Sequence, residues 1–305
     1  TIISWNIHAF EITDIYKCRN QQARIAMNSV PENSEAVTSN VIDFKPLDYR
    51  SIWISDVHLG FKGCKADLLL DFLKSVNSDY LYLVGDIVDL WSMSKVVHWP
   101  QAHNNVIRTI LSKAKQGTRV VYIPGNHDEM FRDYDGMRFG NVIIRTCDTH
   151  TTLNGKQYLI MHGDEFDSAV QCSKLISYVG DRAYGLILEL NRCYNYLRRK
   201  LGLPYWSLSN YIKHRVNNAV KYVRRFEDAV AYEANKHSVD GLICGHIHRA
   251  NLRDVNGIEY CNTGDWVESC TALVEHYDGR LELINWAELK RQAAIRQSVA
   301  IPRAA

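Results

Sequence analysis

Five short polar clusters occur in one order along the chain, each at the end of an apolar run, and this pairing restricts the fold more than any other feature. The clusters are Asp56-Val57-His58, Gly85-Asp86, Gly125-Asn126-His127-Asp128, His162-Gly163-Asp164 and Gly245-His246-Ile247-His248. The runs before them are residues 51–54, 80–84, 120–123, 158–161 and 241–244. Short apolar runs bounded by Gly or Pro read as buried strands. Polar residues just past the ends of such strands converge at one edge of a sheet, where α/β folds place their sites.

Each cluster alone says little. An isolated Asp-x-His is more often a turn or a surface pair than a metal site, and Gly-Asn-His is ordinary turn chemistry. The weight lies in the set and its order. At 305 residues the chain can bury a sizeable core and carry more than one domain. Its 46% apolar and 23% charged residues are those of an ordinary globular protein. A net charge of +2 says nothing about partners. Eight scattered cysteines contain no C-x-x-C pair. That argues against a disulfide framework and against cysteine-held zinc, and for a reducing cytoplasm. No stretch reaches bilayer-spanning length, and residues 1–10 lack the basic start and cleavage pattern of a signal peptide.

Residues 1–45 read as a disordered tail, polar and turn-rich around Asn28 to Glu35. From there strand and helix patterns alternate. Residues 65–76 place Leu68, Leu69, Phe72, Leu73 and Val76 on one helical face, and residues 104–115 do the same with Val106, Ile107, Ile110 and Leu111. Strands are expected again at 258–261, 271–276 and 281–286, giving a mixed α/β chain with a core over 46–168 and 237–290 and a tail over 291–305. Residues 168–200 and 207–235 look helical, with Gly202-Leu203-Pro204 as a stop between them. The stretch is too long for a crossover, so a helical cap inserted over 169–236 is expected. Between Val170 and Arg225 there are eleven Lys or Arg against Asp181 and Glu189 alone, interleaved with tyrosines and Trp206. This suits either a solvated cationic face or an anionic membrane surface. Nucleic acid is not expected, because the basic excess belongs to an insertion over the catalytic edge.

The five clusters, in this order, resemble the motifs of the calcineurin-like metallophosphoesterase superfamily over residues 49–286. The resemblance implies an α/β fold, a four-layer αββα sandwich carrying the helical cap, and two divalent cations. Asp86 would bridge the pair, since two like-charged ions about 3.5–4 Å apart need an anion between them. Asp56, His58 and His248 would complete one position, and Asn126, His162 and His246 the other. Oxygen and imidazole ligands suit Mn²⁺, Fe²⁺ or Zn²⁺, with Mn²⁺ first. His127 would stabilise or protonate the leaving oxygen, oriented either by Asp128 or, since adjacent side chains rarely hydrogen-bond to each other, by a group from elsewhere in the chain. Arg249 directly follows one ligand position and Asp164 lies two residues after another, so both are candidates to support the ligands.

Within the superfamily the chain looks most like the UDP-2,3-diacylglucosamine diphosphatase branch of lipid A biosynthesis. Residues carrying this are Ser55 to Gly60, Gly264-Asp265-Trp266, the His162-Gly163-Asp164 block with its long helical insertion, and Gly245 to Arg249. The branch implies hydrolysis of a nucleotide-linked lipid to UMP and a lipid phosphate. Arg249, with Asn218 and Lys221 on one helical face, would contact substrate. The enzyme would be cytoplasmic and peripheral on the inner face of the inner membrane. One departure stands out: well-known members of the branch carry Arg where this chain has His127. Two alternatives follow, a metallophosphodiesterase or phosphatase acting on another nucleotide or lipid phosphoester, and a non-catalytic binding protein of this fold. The second usually lacks ligands that this chain retains.

Overall fold

The computed structural model describes residues 46–167, 194–196, 198, 200 and 217–300, without the side chains of 217–221 and 296–300. The expected tail over 1–45 and, apart from residues 194–196, 198 and 200, the expected cap as far as residue 216 lie outside the described residues. Strands form two sheets. The first holds β1 (Leu47–Ile54), β2 (Val76–Val84), β3 (Arg119–Ile123), β4 (Arg138–Phe139), β5 (Val142–Ile144), β11 (Thr271–Glu275) and β12 (Leu281–Asn285), in the order β12-β11-β1-β2-β3-β5-β4. The second holds β6 (Asp148–Thr151), β7 (Gln157–Ile160), β8 (Gly241–Cys244), β9 (Asn251–Val255) and β10 (Ile258–Asn262), in the order β6-β7-β8-β10-β9. β1, β2 and β3 run parallel, as do β7, β8 and β10. The carboxyl ends of β1, β2, β3, β7 and β8 are the ends that carry the polar clusters.

Side-chain alternation builds the layers. On β1, Ile52 and Ile54 point outward and meet Leu69, Phe72 and Leu73 of α1 (Ala66–Ser75) and Val106 and Ile110 of α3 (Gln101–Lys115). Trp53, between them, points the other way. It joins Tyr82, Val121, Tyr158, Ile160 and Ile243 in a core between the two sheets. The outer face of the second sheet is covered by α4 (Asn217–Lys236), through Phe226, Val230, Ala231 and Ala234 against Leu159, Leu242 and Tyr260. The layers are therefore helix, sheet, sheet, helix, as the family resemblance implies. A short helix α2 (Leu90–Lys95) follows β2, and α5 (Trp286–Ala300) follows β12.

Two expected boundaries are corrected. The expected cap extends to residue 236, but α4 is a layer of the core. Phe226, Val230 and Ala234 recur every fourth residue and are buried. The expected C-terminal tail begins at 291, but α5 runs on to Ala300. Trp286 anchors its start, with its ring 5.3 Å from that of Phe72 and its Nε1 donating to Asp71 at 2.8 Å. The residues beyond are strong helix formers.

A polar contact also joins the sheets away from the clusters. The buried Glu275 carboxylate on β11 accepts from Arg50 at 2.8 Å and Ser51 at 2.7 Å on β1, and from His150 Nε2 at 2.8 Å on β6. The Leu153 amide donates to its other oxygen at 2.9 Å.

Candidate metal centre

Each cluster begins where a strand stops, and the corner that follows bends sharply. Asp56, His58, Asp86, His246 and His248 have φ of +50°, +54°, +53°, +66° and +51°. This left-handed region costs a residue with a side chain about 1–3 kcal/mol. The strain is concentrated here: five of the eight non-glycine residues with positive φ among the described residues are these. Two glycines make room. Gly85 has φ +77°, and a Cβ there would lie 2.0 Å from Nδ1 of His162. A Cβ on Gly245 would lie 2.3 Å from Oδ2 of Asp56.

The corners gather two groups of expected ligands whose donor atoms all lie within 4.8 Å of one another, Asp56-His58-His248 and Asp56-Asp86-His162, and His58, Asp89 and His127 form a third such group at the mouth. In the first, His248 Nε2 is 3.1 Å from Asp56 Oδ1 and 3.4 Å from His58 Nε2. In the second, His162 Nε2 is 3.4 Å from Asp86 Oδ2. That same oxygen lies 3.8 Å from His58 Nε2 and 4.0 Å from His127 Nε2, so Asp86 stands between the groups. His246 belongs to neither by ligand-atom distance. Its backbone N–H donates to Asp56 Oδ2 at 3.0 Å, and its ring packs 5.2 Å from that of His162.

The donor set fits divalent cations. Asp56 Oδ1, Asn126 Oδ1 and His162 Nε2 are buried without a hydrogen-bond partner. Buried polar atoms are rarely left so. The nitrogens facing away are pinned. His58 Nδ1 donates to Asp89 Oδ2 at 3.2 Å, His162 Nδ1 to the Val84 carbonyl at 3.0 Å, and His246 Nε2 to Asp167 Oδ1 at 2.9 Å. Fixing one ring nitrogen as a donor leaves the other as the ligand lone pair.

The electrostatics agree with the geometry. Burial pushes the Asp56 carboxyl up, but His248 outweighs it and holds it down at about 2. Burial likewise opposes ionisation of Asp86, and His162, His58 and His127 hold it well below the usual carboxylate range. Burial would lower His58, yet its hydrogen bond to Asp89, with the charges of Asp86 and Asp56, raises it to about 9. The cluster is a nest of carboxylates that demands positive charge at its centre.

His127 sits at the mouth. Its backbone N–H donates to Asp86 Oδ1 at 2.8 Å, and its Nδ1 donates to Asp89 Oδ1 at 3.0 Å. Trp91 lies against the ring at 4.5 Å between centroids, and His58 meets it edge-on at 4.7 Å. Asp128 does not orient this imidazole. Its buried carboxylate accepts from the amides of Asp86, Ile87, Val88 and Gly125 and from the Tyr122 hydroxyl, tying the corner after β2 to the corner after β3. A side chain adjacent in sequence points elsewhere, and Asp89 takes the position expected for Asp128. Asp164 pairs with Arg132 at 2.6 Å. Arg249 is exposed beside His248. The side chains of Asn218 and Lys221 lie outside the described residues, although both positions fall within α4.

Sequence reasoning missed two carboxylates. Asp89 has a signal, three residues after Asp86 in Gly-Asp-x-x-Asp. Asp167 has none, since nothing in the sequence sets it apart from Asp164 and Glu165.

The calcineurin-like phosphoesterase family model matches residues 49–250. The UDP-2,3-diacylglucosamine hydrolase of Neisseria gonorrhoeae (strain ATCC 700825 / FA 1090) is 28% identical over 229 residues, 71% of this chain and 89% of that protein. The enzyme of the same name from Psychromonas ingrahamii (strain DSM 17664 / CCUG 51855 / 37) is 27% identical over 227 residues, again 71% and 89%. Among solved structures, an archaeal phosphodiesterase aligns with a TM-score of 0.37 and 13% identity, covering 77% of this chain and 98% of its own.

Proposed function

The chain belongs to the calcineurin-like phosphoesterase family and is a metal-dependent hydrolase, and from that premise we propose that it cleaves the diphosphate of a UDP-linked, twice-acylated glucosamine to UMP and a lipid phosphate. The observation that carries the hydrolytic chemistry is the convergence of Asp56, His58, Asp86, His162 and His248 from separate strand ends, with buried ligand atoms left unpaired. The relatives named for that lipid, matched over 89% of their length, support the substrate.

When bound, two divalent cations supply positive charge against the phosphoryl oxygens and a nucleophilic water. Asp56, His58 and His248 would hold one of them, and Asn126, His162 and His246 the other, with Asp86 shared. Mn²⁺, Fe²⁺ and Zn²⁺ suit this mixture of oxygen and imidazole, and Mn²⁺ is our first choice. His127 presents Nε2 towards the cluster while Asp89 holds Nδ1 as a donor. That nitrogen is the group placed to stabilise or protonate the departing oxygen. His58 and His127 share the two oxygens of Asp89, so one carboxylate sets both rings.

The test uses the full chain with Mn²⁺ and UDP-2,3-diacylglucosamine, beside a chromogenic phosphodiester. We expect release of UMP from the lipid substrate, abolished by chelator and reduced about 10²–10⁴-fold by His127→Ala. Turnover of the chromogenic ester with no UMP from the lipid would replace this substrate by another nucleotide or lipid phosphoester. His127, where the branch has Arg, is the feature favouring that second reading.

A further inference from the structure

We propose that Asp167, braced by Tyr222, is a positioning residue that commits His246 to bind a cation through Nδ1 and so sets the affinity of one cation position but not the other; the inference rests on the two-cation reading above. His246 differs from the other imidazoles of the cluster. His58 and His162 each give up Nδ1 to a partner, a carboxylate and a backbone carbonyl respectively, and turn Nε2 inward. His248 brings Nε2 to within 3.1 Å of Asp56. In His246 the arrangement is reversed: Nε2 is the donor, held by Asp167 Oδ1 at 2.9 Å. Only Nδ1 is left for a ligand bond, and a flip of the ring would put Cδ2 in place of Nδ1 and Cε1 in place of Nε2, withdrawing the ligand nitrogen and the donor together.

Among the described residues, little else around the ring prevents that flip. His246 sits at φ +66°, and its ring lies 6.2 Å from that of Phe226 and 5.2 Å from that of His162 between centroids. Neither neighbour distinguishes a ring nitrogen from the ring carbon that a flip would put in its place. Asp167 does, because a carboxylate accepts only from a protonated nitrogen. Asp167 is itself fixed by a second donor on the same oxygen. The Tyr222 hydroxyl donates to Oδ1 at 2.8 Å from α4, whose next turn carries the buried Phe226. A half-exposed carboxylate next to the cluster is thereby anchored to the core. The outcome is a chain of contacts from a packed helix, through a phenol and a carboxylate, to one ligand. His58, His162 and His248 are not part of it.

Metal titration of the full chain, stripped by chelator and followed by calorimetry with Mn²⁺, tests this without reference to substrate. Wild type is expected to take up two ions. Asp167→Ala should weaken one of them by about 10–100-fold and leave the other unchanged. Asp167→Asn keeps an acceptor oxygen and should recover part of the loss, and Tyr222→Phe should weaken the same ion by a smaller factor. Two ions bound as tightly as in wild type by Asp167→Ala, or an equal loss of both, would overturn the proposal. If the alanine variant does not fold, Tyr222→Phe decides: unchanged titration overturns the proposal, and selective weakening of one ion upholds it. A wild type that binds no ion would defeat the two-cation reading instead.

Discussion

Asp128 accepts five hydrogen bonds in a fully buried position, four from backbone amides and one from Tyr122. Removing an acceptor strands its donors, and each buried stranded donor costs about 1–3 kcal/mol. Asp128→Ala should therefore lower unfolding stability by about 2–4 kcal/mol, read from urea midpoints. His127→Ala, one residue away at the mouth of the cluster, should change stability by less than about 1 kcal/mol while losing turnover. Equal destabilisation by the two would mean that His127 is structural. At this scale the ligand residues are legible because their types are rare together: carboxylate, amide and imidazole in fixed order after apolar runs. The division of labour between Asp89 and Asp128 is not. It depends on which way a side chain leaves a tight corner, and that is decided by backbone angles no residue type announces.

Among the elements, the strands before the clusters are legible from their apolar runs, and the structure lengthens β1 and β2 backwards to Leu47 and Val76. The brief strands β4, β5 and β6 are not, since two to four residues carry no period to detect. Helix α4 is legible as a helix but not as a core layer. Its exposed Arg224 and Arg225 continue the basic run of the preceding segment, and they mask a stripe of Phe226, Val230 and Ala234 on the opposite side. Phe226 is fully buried between Phe166, Gly163 and the second sheet. Phe226→Ala should cost about 3–5 kcal/mol in denaturant unfolding. A surface helix would show almost none of that loss. Any deletion aimed at the expected cap alone must end before Asn217.

For the molecule as a whole, the Glu275 contact between sheets predicts a pH dependence distant from the cations. Burial raises this carboxyl, but His150, Ser51, Leu153 and Arg50 together bring it from its ordinary 4.5 down to about 2. The folded state thus binds fewer protons than the unfolded state across that interval, and stability rises with pH there. The contribution is complete above about pH 4.5 and is lost as pH falls towards about 2. In chelator-treated protein, Glu275→Gln should start less stable at pH 6 and lose less on acidification to pH 3 than wild type. The gap between the two should narrow by about 1.4 kcal/mol for every tenfold by which folding weakens proton binding at this carboxylate. Parallel losses would remove the carboxylate from the account. The layered architecture is what the family resemblance of the motifs implies, whereas this contact joins residues more than two hundred positions apart and leaves no trace in sequence. One further property follows from the two donor groups. Each draws on both sheets: Asp56, His58 and Asp86 come from the first, His162 and His248 from the second. A cation in either group is then a fastener across the seam, so withdrawing the ions should loosen the join between the halves before it melts either half.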